Sequence, residues 1–293
     1  MRHPRLGCST ITFRRLDLDQ ALATIAELGF REVDLGSLPN VCEHVPLDLD
    51  DRARSRVVRA VHNSGLAVRS INADIGDLNR PATEPELDAS RAHLHELSAL
   101  AAEVGSIAVV LPNGALSHDP VETLNSDLDR VADRLIEAAG TAAAFGIELW
   151  TESLHVHRLC CTADRALALA GRLDGSTVRH VVDLSHVVAA GADLAETIDA
   201  FGPRTAHVHL RDATPGHVTQ LPDPLMPGNI NLSIGRGVVD FAGSLIALQR
   251  NSFDGHLTLE LETHDVDDAD RPSAAAAAAD TIESLLNRHP ATT

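Results

Sequence analysis

Four short stretches in the latter half of the chain hold the side chains best suited to chemistry. Glu152 closes ELWTE, Asp183 and His186 stand in VVDLSH, His209 is the second His of HVHLRD, and Glu260 and Glu262 alternate in LELE. Two Glu, one Asp and one His make a mixed oxygen and nitrogen donor set. Hard carboxylates with a single imidazole suit divalent Mn, Mg or Co better than thiolate-loving Zn. The rest of the composition narrows the chemistry by absence. All 24 basic residues are Arg, with no Lys and no Tyr. A Schiff-base lysine, a pyridoxal-phosphate anchor, a P-loop lysine and a tyrosyl acid or base are therefore excluded.

For these groups to meet, the segments that carry them must end on one rim. Short β-branched runs alternate with Ala/Leu-rich amphipathic stretches along all 293 residues. The pattern predicts strands over 6–9, 32–35, 67–71, 107–111, 147–152, 178–183, 205–210 and 256–261. It predicts helices over 17–28, 49–63, 84–104, 120–145, 163–172, 194–201, 240–249 and 273–287. Asp17 with Gln20 three residues later reads as a capping box, and Gly29 as the stop. Alternating strands and helices imply parallel pairing with right-handed crossovers. Eight such units make an α/β fold, a single (β/α)8 TIM barrel spanning 1–293. An open doubly wound sheet comes second, because no GxGxxG follows the first strand. The connection 212–237, rich in Pro, Gly and Asn, reads as a lid-like loop.

In such a barrel chemistry sits where the strands finish. The fifth to eighth strands each deliver one metal-capable side chain there. Each has a plainer explanation when taken singly: His207 and His209 fit an ordinary alternating strand, and Glu260 and Glu262 a solvated edge. A carboxylate pointing into a packed interior must, however, be paired or coordinated, since stranding a buried charge costs about 3–5 kcal/mol. Four neighbouring strands with the same feature favour a metal site. The formal charge of −18 argues against nucleic acid and anionic membrane partners. No apolar run approaches the roughly 20 residues of a membrane span. Cys8, Cys42, Cys160 and Cys161 lack CxxC spacing and read as reduced thiols of a cytoplasmic protein.

With these motifs in order, the chain resembles the xylose-isomerase-like barrels: sugar phosphate isomerases/epimerases, ketose 3-epimerases and inosose dehydratases. Gly146-Ile147 leading to Glu152 looks like their fifth strand, VVDLSH like their Asp-x-x-His, and HVHLRD like their His-x-His-Leu-Lys-Asp. GRGVVDF resembles their Gly-x-Gly-x-x-Asp-Phe, and Gly255 leading to Glu260 their last metal Glu. The resemblance implies one divalent metal ion held by Glu152, Asp183, His209 and Glu260, whose donor chemistry prefers Mn with Mg, Co or Zn as alternatives. It implies that His186 binds a substrate oxygen, and it gives Glu262 no fixed counterpart. Two positions depart from the ketose epimerases: Pro215 stands where they carry Arg, and Arg158 where they tend to be acidic. The substrate pocket is therefore expected to differ from theirs.

The expected activity is isomerisation or epimerisation of a small polyhydroxylated sugar, sugar phosphate or inositol derivative. Glu152 and Glu260 would relay a proton through a metal-stabilised enediolate. Dehydration of a keto-sugar or keto-inositol fits the same groups. Arg158, Arg211 and Arg236 are candidate substrate-oxygen contacts, and Glu43 and His44 are either substrate contacts or solvated. Trp150 reads as core. An AP-endonuclease-like phosphodiesterase is disfavoured because the third and fourth strands lack extra His ligands. A non-catalytic sugar-binding barrel is the remaining class. Related barrels imply a homo-oligomer.

Overall fold

In the computed structural model, which describes residues 1–219 and 223–288, parallel strands close a barrel. Its strands are β1 (Leu6–Ser9), β2 (Glu32–Ser37), β3 (Ala67–Ala73), β4 (Ala108–Pro112), β5 (Glu148–Glu152), β6 (Arg179–Asp183), β7 (Thr205–Leu210) and β10 (His256–Leu259). The order around the barrel is β1-β10-β7-β6-β5-β4-β3-β2. Helices α1 (Leu18–Glu27), α2 (Asp51–Ser64), α3 (Glu84–Glu103), α4 (Leu124–Ala143), α5 (Ala163–Arg172), α7 (Leu194–Phe201), α8 (Phe241–Arg250) and α9 (Arg271–Arg288) link and flank the strands. Among the described residues no helix is long and apolar enough to cross a membrane.

Strand alternation divides the molecule into two environments. One parity, including Val33, Leu35, Ile71, Val109, Leu111, Leu149, Val182, Val208 and Leu257, is buried in the main core that also holds the helix side chains. The other parity places Asp34 beside Ser70, Asp183 beside His209 and His209 beside Thr258. A small apolar cluster of Ala108, Val110, Trp150, Val181 and Ala206 is separate from the main core. Trp150 is buried there and stacks on His207, with ring centroids 5.5 Å apart. The barrel interior thus mixes a few apolar side chains with ionisable ones.

Local signals explain most helix ends. Asp17 Oδ1 accepts from Gln20 N while Gln20 Oε1 accepts from Asp17 N, the predicted capping box. Helix α4 starts at Leu124, not Pro120, because the buried Asp127 accepts from Val121 N at 2.8 Å and bends the preceding segment into a turn. A six-residue helix that the sequence did not predict, α6 (Leu184–Ala189), follows β6 directly. Asp183 caps it, with Oδ1 accepting from Ser185 N at 2.7 Å.

The connection 212–237 holds a two-stranded ribbon, β8 (His217–Val218) paired with β9 (Leu225–Met226); its residues 220–222 lie outside the described residues. Asp212 anchors its return. Oδ2 accepts from Gly235 N at 2.8 Å and Gly237 N at 3.0 Å, and Oδ1 from Val239 N at 3.1 Å. A Cβ at position 237 would lie 2.3 Å from Asp212 Oδ1 and from Ala213 O, so only glycine permits the approach.

Candidate functional site

A cleft of about 880 Å³ opens at the carboxyl ends of the barrel strands. Glu152, His209, Arg211, Glu260 and Glu262 line its floor. Leu38, Val41, Leu47, Ile75, Leu116 and Ile230 line its walls. The floor side chains lie at or just beyond the ends of β5, β7 and β10, and β6, between β5 and β7, ends in the buried Asp183. Glu152, Asp183, His209 and Glu260 each present one ligand atom, and these atoms all lie within 4.8 Å of one another. His209 Nδ1 is 3.3 Å from Glu260 Oε2 and 3.6 Å from Glu152 Oε1. Two overlapping groups, Asp34 with His207 and His209, and Glu152 with His155 and His186, also have metal-holding geometry.

Arg211 is the counter-charge of this floor. It is almost wholly buried, and its Nη2 donates to Asp183 Oδ2 at 2.7 Å and lies 3.6 Å from Glu260 Oε2. Its Nη1 donates to Glu262 Oε1 at 3.0 Å, while Glu262 Oε2 accepts from Arg14 at 2.7 Å. Glu262 therefore ties the guanidinium to the rim.

The charges perturb one another strongly. Burial pushes the Glu152 carboxyl up, and the negative charges of Glu260 and Asp183 add to it against the pull of His209. Burial acts on Glu260 in the same direction, but His209 and Arg211 outweigh it and hold that carboxyl low. Asp183 is likewise held low against burial by Arg211 and His209. Burial would lower His209, yet Glu260 and Glu152 raise it well above the ordinary imidazole range. Glu152 is thus pushed in the opposite direction from Glu260 and Asp183 within one cluster.

The donor set fits a divalent ion. Ligand atoms at about 2.0–2.2 Å from one ion stand at most about 4.4 Å apart, so small side-chain movements bring these four onto it. Neither ring nitrogen of the buried His209 has a hydrogen-bond partner among the described residues, which leaves Nδ1, the nitrogen facing Glu152 and Glu260, free to act as a ligand.

A family model for the xylose isomerase-like TIM barrel matches residues 22–286. The chain belongs to that family. A Streptomyces coelicolor relative named "Putative hydroxypyruvate isomerase" is 26% identical over 274 residues, 87% of this chain and 89% of its own. Among solved structures, D-psicose 3-epimerase from Clostridium cellulolyticum, crystallised with D-tagatose, superposes with a TM-score of 0.76 at 16% identity over 98% of this chain and 99% of its own. A xylose isomerase-like barrel from Mycobacterium smegmatis in complex with magnesium has a TM-score of 0.71 at 17% identity, covering 97% of each chain. At these identities the superpositions establish the shared fold.

Within this xylose isomerase-like barrel, several residues sit elsewhere than the sequence reading put them. His186 is fully buried and is not among the cleft-lining residues. Its Nδ1 accepts from Val156 N at 3.2 Å, because α6 turns it inward. His155, which the sequence reading passed over, stacks on it at 4.0 Å between centroids and lines the cleft instead. Arg158 lines the cleft, but its guanidinium is committed to Asp74 at 2.9 Å and to the Gly114 carbonyl at 2.7 Å. Arg236 is exposed and does not line the cleft, since the tight turn 233–236 leaves it on the loop surface. His44 is neither solvated nor in the cleft: it is buried with Nε2 2.9 Å from the Leu16 carbonyl, while exposed Glu43 accepts from Asn40 N.

The sequence reading also missed Asn72, whose Nδ2 donates to Glu260 Oε1 at 3.1 Å, and Asn113, whose Nδ2 donates to the Glu152 carbonyl at 2.7 Å. Both stand at the ends of β3 and β4, where the multinuclear phosphodiesterases would need His. Asn72 is committed to orienting Glu260.

Proposed function

We propose that this protein is a divalent-metal-dependent isomerase or epimerase of a small polyhydroxylated carbonyl compound. The observation that carries the reading is the convergence of Glu152, Asp183, His209 and Glu260 on one point, three of them lining the cleft. The relative named for hydroxypyruvate isomerisation and the fold neighbour named for D-psicose 3-epimerisation support it. Those four side chains would hold the ion, with manganese preferred for three carboxylates and one imidazole. The ion would supply Lewis-acid polarisation of a carbonyl oxygen and orient an adjacent hydroxyl.

The protein's own groups then account for the proton. Glu152 and Glu260 come from the two flanks of the arc β5-β6-β7-β10. One takes the proton α to the carbonyl and the other returns it. Return to the opposite face epimerises; return to the neighbouring carbon isomerises. Dehydration shares the first step and differs in losing hydroxide. Asn72 fixes the orientation of Glu260, and Arg211 offsets the crowding of like charges. His155 would contact substrate oxygens from the wall, and Arg158, held by Asp74 and the Gly114 carbonyl, would present its charge there.

The test is solvent-deuterium incorporation over a panel of ketoses, hydroxypyruvate and inososes. Manganese-loaded protein is expected to wash deuterium into at least one of them, and Glu152→Gln or Glu260→Gln to suppress it by 100-fold or more. Exchange that survives both substitutions together would exclude the two-carboxylate relay. Retention of a sugar without any exchange would make the protein a binding barrel.

A further inference from the structure

Below the metal-ligand cluster lies a second ionisable group that the proposed reaction does not use. Asp34 is in the middle of β2, fully buried, and faces the barrel interior beside Ser70. His207 Nε2 donates to its Oδ2 at 2.8 Å. The same oxygen lies 3.9 Å from His209 Nε2. Asp34 Oδ1 and His209 Nε2 both lack a hydrogen-bond partner among the described residues. An unpartnered imidazole nitrogen and a carboxylate with one unpartnered oxygen thus face each other across 3.9 Å in a buried interior, where leaving either unpaired is costly.

The two nitrogens of His209 face different surroundings. Nδ1 points to Glu152 and Glu260, Nε2 to Asp34. The ring is also held edge-on to His207, with centroids 5.3 Å apart at 89°. A carboxylate behind an imidazole selects which nitrogen carries the proton and which is free to ligate.

We propose that Asp34 is a positioning residue that holds the proton of His209 on Nε2 and so presents Nδ1 to the divalent ion. The inference rests on the metal site of the proposed function. Asp34 does not touch the ion or the substrate; it acts through His209, with His207 holding the carboxylate by donating to its Oδ2. Removing the carboxylate leaves the His209 tautomer unselected and takes one negative charge from beneath the ion. Outer partners of this kind are worth about 10–100-fold in metal affinity.

The experiment uses the full chain loaded with zinc, a diamagnetic probe, and 15N-labelled at His. In the wild-type protein, His209 is expected to show a zinc-bound Nδ1 and a protonated, slowly exchanging Nε2. Chelator competition with manganese and with zinc should show Asp34→Asn binding 10–100-fold more weakly. Thr205→Val, which removes another buried, unpartnered hydroxyl from the same strand as His209, should bind as the wild type does. Coordination of wild-type His209 through Nε2 would overturn the inference, and this reading needs no variant to fold. Two tight ions per chain would overturn it as well, because Asp34 would then be a ligand. Affinity of Asp34→Asn within twofold of wild type would overturn it while leaving the proposed function standing. A wild-type protein that takes up no ion would overturn both.

Discussion

Arg211 Nη2 donates to Asp183 Oδ2 at 2.7 Å, so a permanent positive charge is built into the rim of the carboxylate cluster. Asp183 Oδ1 already accepts from the Ser185 amide and hydroxyl. The carboxylate is therefore oriented before any ion arrives. Arg211 and a bound divalent ion would share the same negative charges.

Arg211→Leu should separate these roles. It leaves the buried Asp183 without its cationic partner while Glu262 keeps Arg14, and breaking a buried pair from one side costs about 3–5 kcal/mol. The metal-free variant should show this loss in denaturant unfolding. Manganese should recover more stability in the variant than in the wild type, because the ion then supplies the missing charge. Equal stability of the two metal-free proteins would show that the guanidinium is not compensating the cluster.

Metal removal should itself be visible in stability. An ion that binds only the folded state at 100 times its dissociation constant contributes about 2.7 kcal/mol. Saturating manganese should raise the melting temperature by several degrees over the chelated protein, with Glu152→Gln showing a smaller rise. A melting temperature that ignores manganese would argue against the four side chains acting as ligands.

His180 on β6 makes a pH-dependent contribution that has nothing to do with the cleft. Burial pushes its pKa down to about 3, with its Nδ1 paired to the Ser153 hydroxyl and its ring against Phe201. The folded state keeps the ring neutral, whereas the unfolded chain protonates it below about pH 6.5. The stability from this group is complete above that pH and falls as pH drops towards 3, by about 1.4 kcal/mol per unit. Between pH 7 and 4.5, His180→Leu should lose about 2–3 kcal/mol less than the wild type, read from urea midpoints. Parallel losses in the two proteins would rule this out.

Asp212 should behave as the clasp of the long connection. Asp212→Ala removes the acceptor of the Gly235, Gly237 and Val239 amides. The expected cost is about 3 kcal/mol, since hydrogen bonds to a charged group are worth about 1.5–3 kcal/mol each and partly re-form with water. Limited proteolysis should then cut within 213–237 in the variant and spare the wild type. Gly237→Ala should reproduce that sensitivity, because its Cβ would collide with the Ala213 carbonyl.

The alternation of strands and helices made the barrel legible before any coordinates, and the family model and the closed sheet agree with it. Side chains at strand ends were legible for the same reason: strand direction and parity decide where Glu152, His209 and Glu260 point. What escaped the sequence depended on contacts between distant segments. Asp34 lies mid-strand, and its importance comes from His207 and His209, 173 and 175 positions away. The six residues of α6 are too few for a helical period to show, and the cap from Asp183 that starts the helix looked like part of a ligand motif. Arg236 and His44 were misplaced because loop side chains take their direction from tertiary packing, which no local pattern encodes.

The residues on the floor all belong to one contiguous arc of the barrel, while the apolar wall residues Leu38, Val41, Leu47, Ile75 and Leu116 follow β2, β3 and β4 on the other side. Much of the apolar wall is therefore encoded in the first 120 codons, although Ile230, His155 and Arg158 come from the half that carries the floor. On the proposed function, exchanges at Leu38, Val41, Leu47, Ile75 or Leu116 would retune which compounds are accepted and pass Glu152, His209 and Glu260 unchanged from parent to descendant, so long as Asn72 stays on Glu260.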